Sequence, residues 1–388
     1  MLSDFFLIFI TFFSLVYFLA LQILEKALSK IPIPENSDAK EKNSVSIIVC
    51  ARNEQKNLPG LFSCLELQKT GTIDVEFIIV NDRSEDNTAK LIMKQAAKDS
   101  RFKRIDIHER LDGFAPKKRA IDEAVRQAKG EILILTDADG RPGPDWITSL
   151  LDYFLNGADM VIGYAPFVAE KSSSIFKKML ALEYFSVAMI AASSTALGYP
   201  VTCVGTNFAY RKKVYQEMGG FGKYKSFISG DDDLFLTLVR EQKKYNIQYA
   251  TNKQSHVFNN PPRTFEQFVN QRLRFASKGF NYPFKVAFIL SLYVIFNLMI
   301  PAGLVWGILG NYPVLLVTLL VILGKNFFEF KYLRKAAQTM SDQRFINYYF
   351  LTALLHLPYV LFFGIFGQFK FFKWAEDKVE HGVLKKAG

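Results

Sequence analysis

Apolar positions along this chain follow three different rhythms. Phe5 to Leu24 runs twenty residues without a charge, interrupted only by Thr11, Ser14 and Gln22. That length crosses a bilayer core. It is longer than a signal-peptide core and follows Asp4 rather than a basic segment, so residues 1–30 read as a retained transmembrane anchor. Residues 31–43, "IPIPENSDAKEKN", read as a polar linker. From Ser44 the rhythm changes. The β-rich runs "VSIIVCARNE", "DVEFIIVNDRSEDNT", "RIDIHER" and "EILILTDAD" each stop in polar residues. Between them lie "LPGLFSCLELQK", "AKLIMKQAAK" and "KKRAIDEAVRQA", which carry helical periodicity. Strands alternating with helices predict an α/β domain with a mostly parallel, doubly wound sheet. Ligands of such sheets bind beyond the carboxyl ends of the strands.

After Gly279 long apolar runs return. Val286 to Gly310 is 25 residues without a charge and predicts a span. Val314 to Phe330 predicts a second, with Lys325 and Glu329 near its end, followed by a charged connector from Lys331 to Arg344. Tyr348 to Gly367 contains His356 and Pro358 and reads either as one span or as a re-entrant pair broken at the proline. The domains are therefore an anchor at 1–30, a linker at 31–43, a soluble domain at 44–280, and transmembrane or re-entrant helices with a basic tail at 281–388. Met179 to Leu197 is apolar around Glu183 and reads either as a core helix or as an interfacial one.

The formal charge of +11 narrows the partners. No nucleic-acid-binding motif accompanies it. The basic residues instead flank apolar runs: Lys26, Lys30, Lys40 and Lys42, then Lys331, Arg334 and Lys335, then Lys370, Lys373, Lys378, Lys385 and Lys386. That placement suits a membrane with an anionic inner leaflet and puts the soluble domain in the cytoplasm. Cys50, Cys64 and Cys203 match no metal spacing and read as reduced thiols.

Three strand ends carry the candidate chemistry: Asn53 and Glu54, Asp82, and Asp137 with Asp139. Asp137 and Asp139 flank one small residue and so face the same side. Two adjacent negative charges call for a cation. Mg²⁺ takes oxygen ligands and usually shares them with substrate phosphates. Asn53, Glu54 and Asp82 can hydrogen-bond a base or ribose. Lys117-Lys118-Arg119 opens a helix, where cations are disfavoured by the dipole; the cluster reads either as a site for an external anion or as a solvated basic face. Asp231 to Asp233 precede another helix. Capping uses one such acid, and one of the others can serve as a general base. Gln271 and Arg274 share a helix face, where an arginine can meet a diphosphate.

With these motifs in place, the chain resembles membrane-bound family 2 glycosyltransferases with a GT-A fold (nucleotide-diphospho-sugar transferase, Rossmann-like). These are enzymes related to ceramide glucosyltransferase-like and to cellulose or hyaluronan synthase-like proteins. The resemblance covers about Ser44 to Phe275. It rests on Asn53-Glu54, on Asp82, Ser84, Asp86 and Thr88, on Lys117 before Ala120-Ile121-Asp122, on Asp137 and Asp139, on Gly230-Asp231-Asp232-Asp233-Leu234, and on Gln271-Arg272-Leu273-Arg274-Phe275. Gly230 stands where the family has an acid, and Phe275 where it has a tryptophan. The resemblance implies an inverting transfer from a nucleotide-sugar donor, a UDP-sugar first, with Asn53, Glu54, Asp82, Lys117, Asp137, Gln271 and Arg274 on the donor. It implies Asp139 on Mg²⁺ or Mn²⁺ and Asp231 as base. The expected acceptor is a lipid or isoprenoid-type molecule at the cytoplasmic face of a bacterial inner membrane. No nucleic acid and no obligate protein partner is expected. The alternatives are a processive polysaccharide synthase and a non-catalytic nucleotide-sugar-binding membrane protein.

Overall fold

The computed structural model describes residues 1–35, 43–170, 172–279, 282–369, 371–374, 377–380 and 383–384. Most of the expected linker, and Lys40, Lys42, Lys370, Lys385 and Lys386, lie outside them. The chain divides into two compact units. One holds residues 31–170 and 190–261, the other residues 1–30, 171–189 and 262–388.

The first unit is built on a seven-stranded sheet. Its strands are β1 (Ser44–Ala51), β2 (Asp74–Asp82), β3 (Phe102–Ile107), β4 (Ile132–Asp137), β6 (Met160–Gly163), β7 (Phe208–Arg211) and β8 (Ile247–Ala250), with the two-residue β5 (Arg141–Pro142) and β9 (Val257–Phe258) forming a separate pair. The order is β3-β2-β1-β4-β7-β6-β8. The first four strands are parallel, as the sequence rhythm predicts. Strand β7 departs from it: it runs antiparallel to both β4 and β6. Alternation along β1 explains why both faces are covered. Val45, Ile47 and Val49 pack with Phe77, Ile79, Ile132 and Ile134 against α2 (Leu58–Glu66) and α5 (Trp146–Leu155). The opposite face carries Ile48, Ile78 and Leu133, all buried, on the side of α4 (Pro116–Gln127). Helix α3 (Thr88–Lys98) completes the four βα units.

Register aligns the strand ends. Cys50 of β1 pairs with Asp137 of β4, and Ala51 with Asn81 of β2. One edge of the sheet therefore collects Asn53, Asp82 and Asp137. The opposite end is closed by Glu76, which accepts from Ser46 Oγ and the Lys129 N–H, both at 2.5 Å, and pairs with Lys103.

The later strands are held by one amide. Asn207 is fully buried. It accepts from Trp146 Nε1 at 3.1 Å and donates to the carbonyls of Tyr164 and Ser255 at 2.9 and 2.7 Å.

The second unit is helical. Its long helices are α1 (Leu2–Leu28), α10 (Phe284–Ile308), α11 (Tyr312–Thr339) and α12 (Tyr349–Phe366), preceded by α9 (Phe265–Ala276). Among the described residues, four helical segments, the last spanning Ile346–Phe369, are long and apolar enough to cross a membrane. Two expectations change. Helix α12 is continuous through Pro358, so the re-entrant pair is not formed. The connector expected from Lys331 is helical as far as Thr339. Lys325 and Glu329 do not break α11, because they are one turn apart and pair at 2.6 Å. Glu329 also accepts from Tyr17 at 2.5 Å and Tyr349 at 3.0 Å. Buried charges persist in apolar surroundings when they are paired in this way. Close backbone approach supports the packing: a side chain at Gly324 would meet the Phe18 ring at 2.7 Å.

Helix α6 (Ile175–Ala196) covers the apolar stretch around Glu183. Glu183 pairs with Arg272 at 2.6 Å and accepts from Tyr359 at 3.0 Å.

Asn207→Ala is expected to take away the partner of the buried Trp146 Nε1–H and of the Ser255 carbonyl, and one of the two donors to the Tyr164 carbonyl, and to lower stability by about 3 kcal/mol. Thermal unfolding of the purified variant measures it, and a melting temperature within 1–2 °C or so of wild type contradicts the assignment.

Candidate functional site

The turn after β1 is locked to the turn after β2. Asn53 adopts φ 57°, a left-handed conformation that asparagine tolerates better than most residues. Its N–H donates to Ser84 Oγ at 3.1 Å, and its Oδ1 accepts from the Glu85 N–H at 2.9 Å. The Glu54 N–H donates to Thr88 Oγ1 at 2.8 Å and the Gln55 N–H to Asp86 Oδ2 at 3.2 Å. Ser84, Asp86 and Thr88 thus act as the clamp that fixes the Asn53-Glu54 turn. Part of Asn53 serves the same end rather than being wholly free for a ligand. Asp82 is engaged by its own neighbour, accepting from Arg83 Nε and Nη2 at 2.7 and 3.0 Å. Each of its oxygens keeps a further acceptor site.

Strand β4 delivers Asp137, and the turn after it carries Asp139. Asp137 ends the strand and the turn closes with Gly140 N–H on its carbonyl at 2.9 Å. Glycine is needed at 140 for space: a Cβ would stand 2.4 Å from Thr136 Oγ1. Asp137 Oδ1 accepts from Lys117 Nζ at 2.9 Å and Oδ2 from Thr206 Oγ1 at 2.5 Å. Lys117 also meets Asp231 Oδ2 at 2.8 Å. One ammonium therefore bridges the end of β4 and the acidic loop before α8 (Asp233–Glu241).

The three cations at the start of α4 are met inside the protein. Lys118 is fully buried and donates to the carbonyls of Tyr224, Phe227 and Ser229 at 2.7, 2.8 and 3.1 Å. Arg119 donates to the Glu109 carbonyl. An external anion is not needed to explain Lys118 or Arg119, which corrects the expectation for that cluster. Lys118 instead fixes the loop that carries Asp231. The three aspartates divide their tasks. Asp232 caps α8, accepting from the Asp233 N–H at 2.7 Å, and also accepts from the Gly205 N–H at 2.9 Å. Asp233 is buried in the first turn. Asp231 faces Lys117. Gly230 reaches this geometry at φ 83°, with Leu234 so close that a Cβ would stand 2.5 Å from it.

Electrostatics separates these acids. Burial alone would push Asp231 up, but the Lys117 charge and hydrogen bond, helped by Lys118, hold it at about 2. Burial would lower Lys117, yet Asp137 and Asp231 raise it well above the usual lysine value. Asp139 is pushed up to about 6 by burial and then by the Asp137 charge. Glu54 also reaches about 6. Burial is the main cause, opposed by the hydrogen bond from Asn57 Nδ2 at 2.6 Å and reinforced by Asp139, Asp137 and Asp86.

Among the described residues, no three His, Cys, Asp or Glu side chains form a ready cage for a metal. The donor set still fits a hard divalent cation. Asp139 has no side-chain partner among the described residues. Its crowding with Glu54 and Asp137 favours an added positive charge, and Mg²⁺-type sites use one or two carboxylates completed by phosphate oxygens.

Gln271 and Arg274 lie on α9 in the helical unit. Gln271 Oε1 is buried with no hydrogen-bond partner among the described residues. Arg274 stacks on Phe275 with its guanidinium 5.4 Å from the ring centroid. Sequence reading missed Thr206, Gly205, Asn57 and Lys118. Nothing in "CVGTNFAYR" marks Gly205 and Thr206, because both act through contacts distant in sequence. Lys118 was visible only as part of a basic run. Among the described residues, Cys50, Cys64 and Cys203 form no disulfide.

The family model for glycosyl transferase family 2 matches residues 46–219. The chain is 25% identical over 342 residues to a poly-beta-1,6-N-acetyl-D-glucosamine synthase of Staphylococcus epidermidis, covering 85% of this chain and 78% of the relative. It is 24% identical over 269 residues to the protein of that name from Staphylococcus aureus, covering 68% of this chain and 60% of that one. Among solved structures, a mannosyltransferase from Pyrobaculum calidifontis in complex with GDP-Man and Mn²⁺ shares the fold. It is similar with a TM-score of 0.56 at 16% identity, over 92% of this chain and 97% of that one.

Asp139 has a raised folded-state value, so it favours the fold below the unfolded carboxylate range and loses that contribution as pH rises through about 6. Asp139→Asn is therefore expected to raise the metal-free melting temperature at pH 7.5, by roughly 2–4 °C, and to lose that gain as pH falls below the ordinary carboxylate range, about 4. A melting temperature that is unchanged or lower at pH 7.5 would remove the crowding.

Proposed function

We propose that this chain, whose residues 46–219 match the glycosyl transferase family 2 model, transfers a sugar, with inversion, from a nucleoside-diphosphate sugar to the end of a growing polysaccharide. The observation that carries the transfer is the Lys117 bridge between Asp137 and Asp231. It sets a donor-side acid and a candidate base on two sides of one cation. Support for a polymeric product comes from relatives named as poly-beta-1,6-N-acetyl-D-glucosamine synthases, one matching over 85% of this chain. An N-acetylhexosamine donor is the first to test. The second reading is a single transfer to a lipid or isoprenoid-type acceptor, favoured by Phe275 in place of the tryptophan that the family resemblance leads one to expect.

In the proposed reaction the acceptor hydroxyl attacks the anomeric carbon while the bond from that carbon to the diphosphate oxygen breaks. Asp231 takes the hydroxyl proton. Lys117 meets charge on the departing diphosphate. Asn53, Glu54 and Asp82 line the edge that receives the nucleoside, and the Ser84-Asp86-Thr88 clamp holds that edge rigid. A divalent cation held by Asp139 would supply further charge stabilisation, a contribution in which one lost group costs roughly 10²–10³ in rate. Gln271 and Arg274 keep their proposed donor roles on the sequence pattern alone. The setting proposed is a cell membrane with the nucleotide site on the cytoplasmic face, as Lys26 in the last turn of α1 and Lys30 just after it favour.

Three measurements test this. UDP-N-acetylglucosamine, UDP-glucose and GDP-mannose are offered to the purified full chain, and nucleoside diphosphate release is followed. No release from any donor with membrane lipid or glycan primers present rules out the transfer. Asp231→Asn is expected to reduce transfer by 10³-fold or so without weakening UDP binding; turnover near wild type excludes Asp231 as base. Product length on a gel then separates the two acceptors: a ladder supports polymerisation, and a single adduct on lipid supports the second reading.

A further inference from the structure

Asp231 is held by the residue that the donor would use. Lys117 Nζ lies 2.8 Å from Asp231 and 2.9 Å from Asp137. Two of its three N–H donors are thereby committed, and no other partner is recorded for it among the described residues. Its side chain is a quarter exposed, while Asp231 is only 13% exposed. The ammonium thus sits at the mouth of the site with the carboxylate behind it.

Asp231 is fixed from its own side. The buried Lys118 anchors the carbonyls of Tyr224, Phe227 and Ser229, and Asp232 is tied to Gly205 and to the start of α8. Asp137 is fixed by Thr206. Of the three bridged groups, the lysine alone sits on a flexible four-carbon stem. A diphosphate carries more charge than a carboxylate and offers several oxygens to an ammonium. When such an anion reaches Asp137 and Asp139, the lysine is the group that can move to it.

We propose that Lys117 is a latch shared by donor and base: it masks Asp231 in the empty enzyme and releases it when a diphosphate recruits its ammonium. The proposal rests on the donor site argued above. Once released, Asp231 loses its counter-charge but keeps its burial, and burial favours taking up a proton. The base then becomes competent when a donor is present. In the empty enzyme its carboxylate stays neutralised. Lys117 is in this sense a positioning residue for Asp231 as well as a donor contact.

Competition for one ammonium has a signature that simple contact lacks. If Asp231 competes with the diphosphate for Lys117, removing Asp231's charge must tighten donor binding. The test measures UDP affinity by calorimetry at fixed Mn²⁺, on the full chain in detergent, for wild type, Asp231→Asn, Lys117→Met and the double variant. The expected result is tighter UDP binding in Asp231→Asn, by about three- to tenfold, with the gain lost in the Lys117→Met background. Equal tightening in both backgrounds means general removal of negative charge and overturns the latch, as does no tightening in Asp231→Asn. Wild type that fails to bind UDP or any other nucleoside diphosphate overturns the donor site itself, and the latch with it. If Lys117→Met does not fold, a structure of wild type with UDP and Mn²⁺ decides. Lys117 Nζ on a phosphate oxygen and farther than about 4 Å from Asp231 supports the latch; an intact Lys117–Asp231 pair overturns it.

Discussion

One ammonium ion between two carboxylates organises the whole candidate site. Asp137 and Asp231 come from a strand end and from a loop about ninety residues later. Without a cation between them, two half-buried negative charges would repel in a medium that screens less than bulk water. The sheet register brings Asp137 level with Cys50, the first turn of α4 brings Lys117, and Lys118 on the next position pins the loop that carries Asp231. Adjacent lysines thus have different tasks: one faces the site and the other is spent entirely on backbone carbonyls. Helix geometry forces that division, since consecutive residues point about 100° apart.

Much of this was readable from the chain. The first four strands and three helices fall where the change of period places them. The three polar strand ends are on one edge because parallel strands all end on the same side. Asp137 ends β4 where the apolar run stops, whereas Asp139 lies in the turn beyond the strand, so strand alternation does not set its direction. Other features were not readable. Thr206 looks like any threonine before a short strand, and its hydroxyl matters only because β7 runs antiparallel beside β4. Arg83 lies beside Asp82 in sequence, yet its bidentate grip depends on a left-handed backbone that no local pattern announces. The Ser84, Asp86 and Thr88 spacing was visible as a motif, but its work as a clamp on the neighbouring turn was not.

The helical unit shows the same limit from the other side. Lys325 and Glu329 looked like the end of an apolar span. They are one turn apart and satisfy each other, with two tyrosine hydroxyls completing the carboxylate. Pro358 looked like a place to fold back, but the helix runs through it. Proline removes one hydrogen bond and crowds one carbonyl, which neighbouring helices can absorb. Hydropathy counts charges and prolines; it does not see partners.

Gly230 ties the acidic loop to two neighbours at once. Its backbone occupies a region open to glycine and closed to most other residues, and Leu234 fills the volume a side chain would need. A larger residue at this position would have to redirect the local chain path and displace Leu234 from the first turn of α8 together, so the entrance to the Asp231 loop is set by shape before any charge is considered.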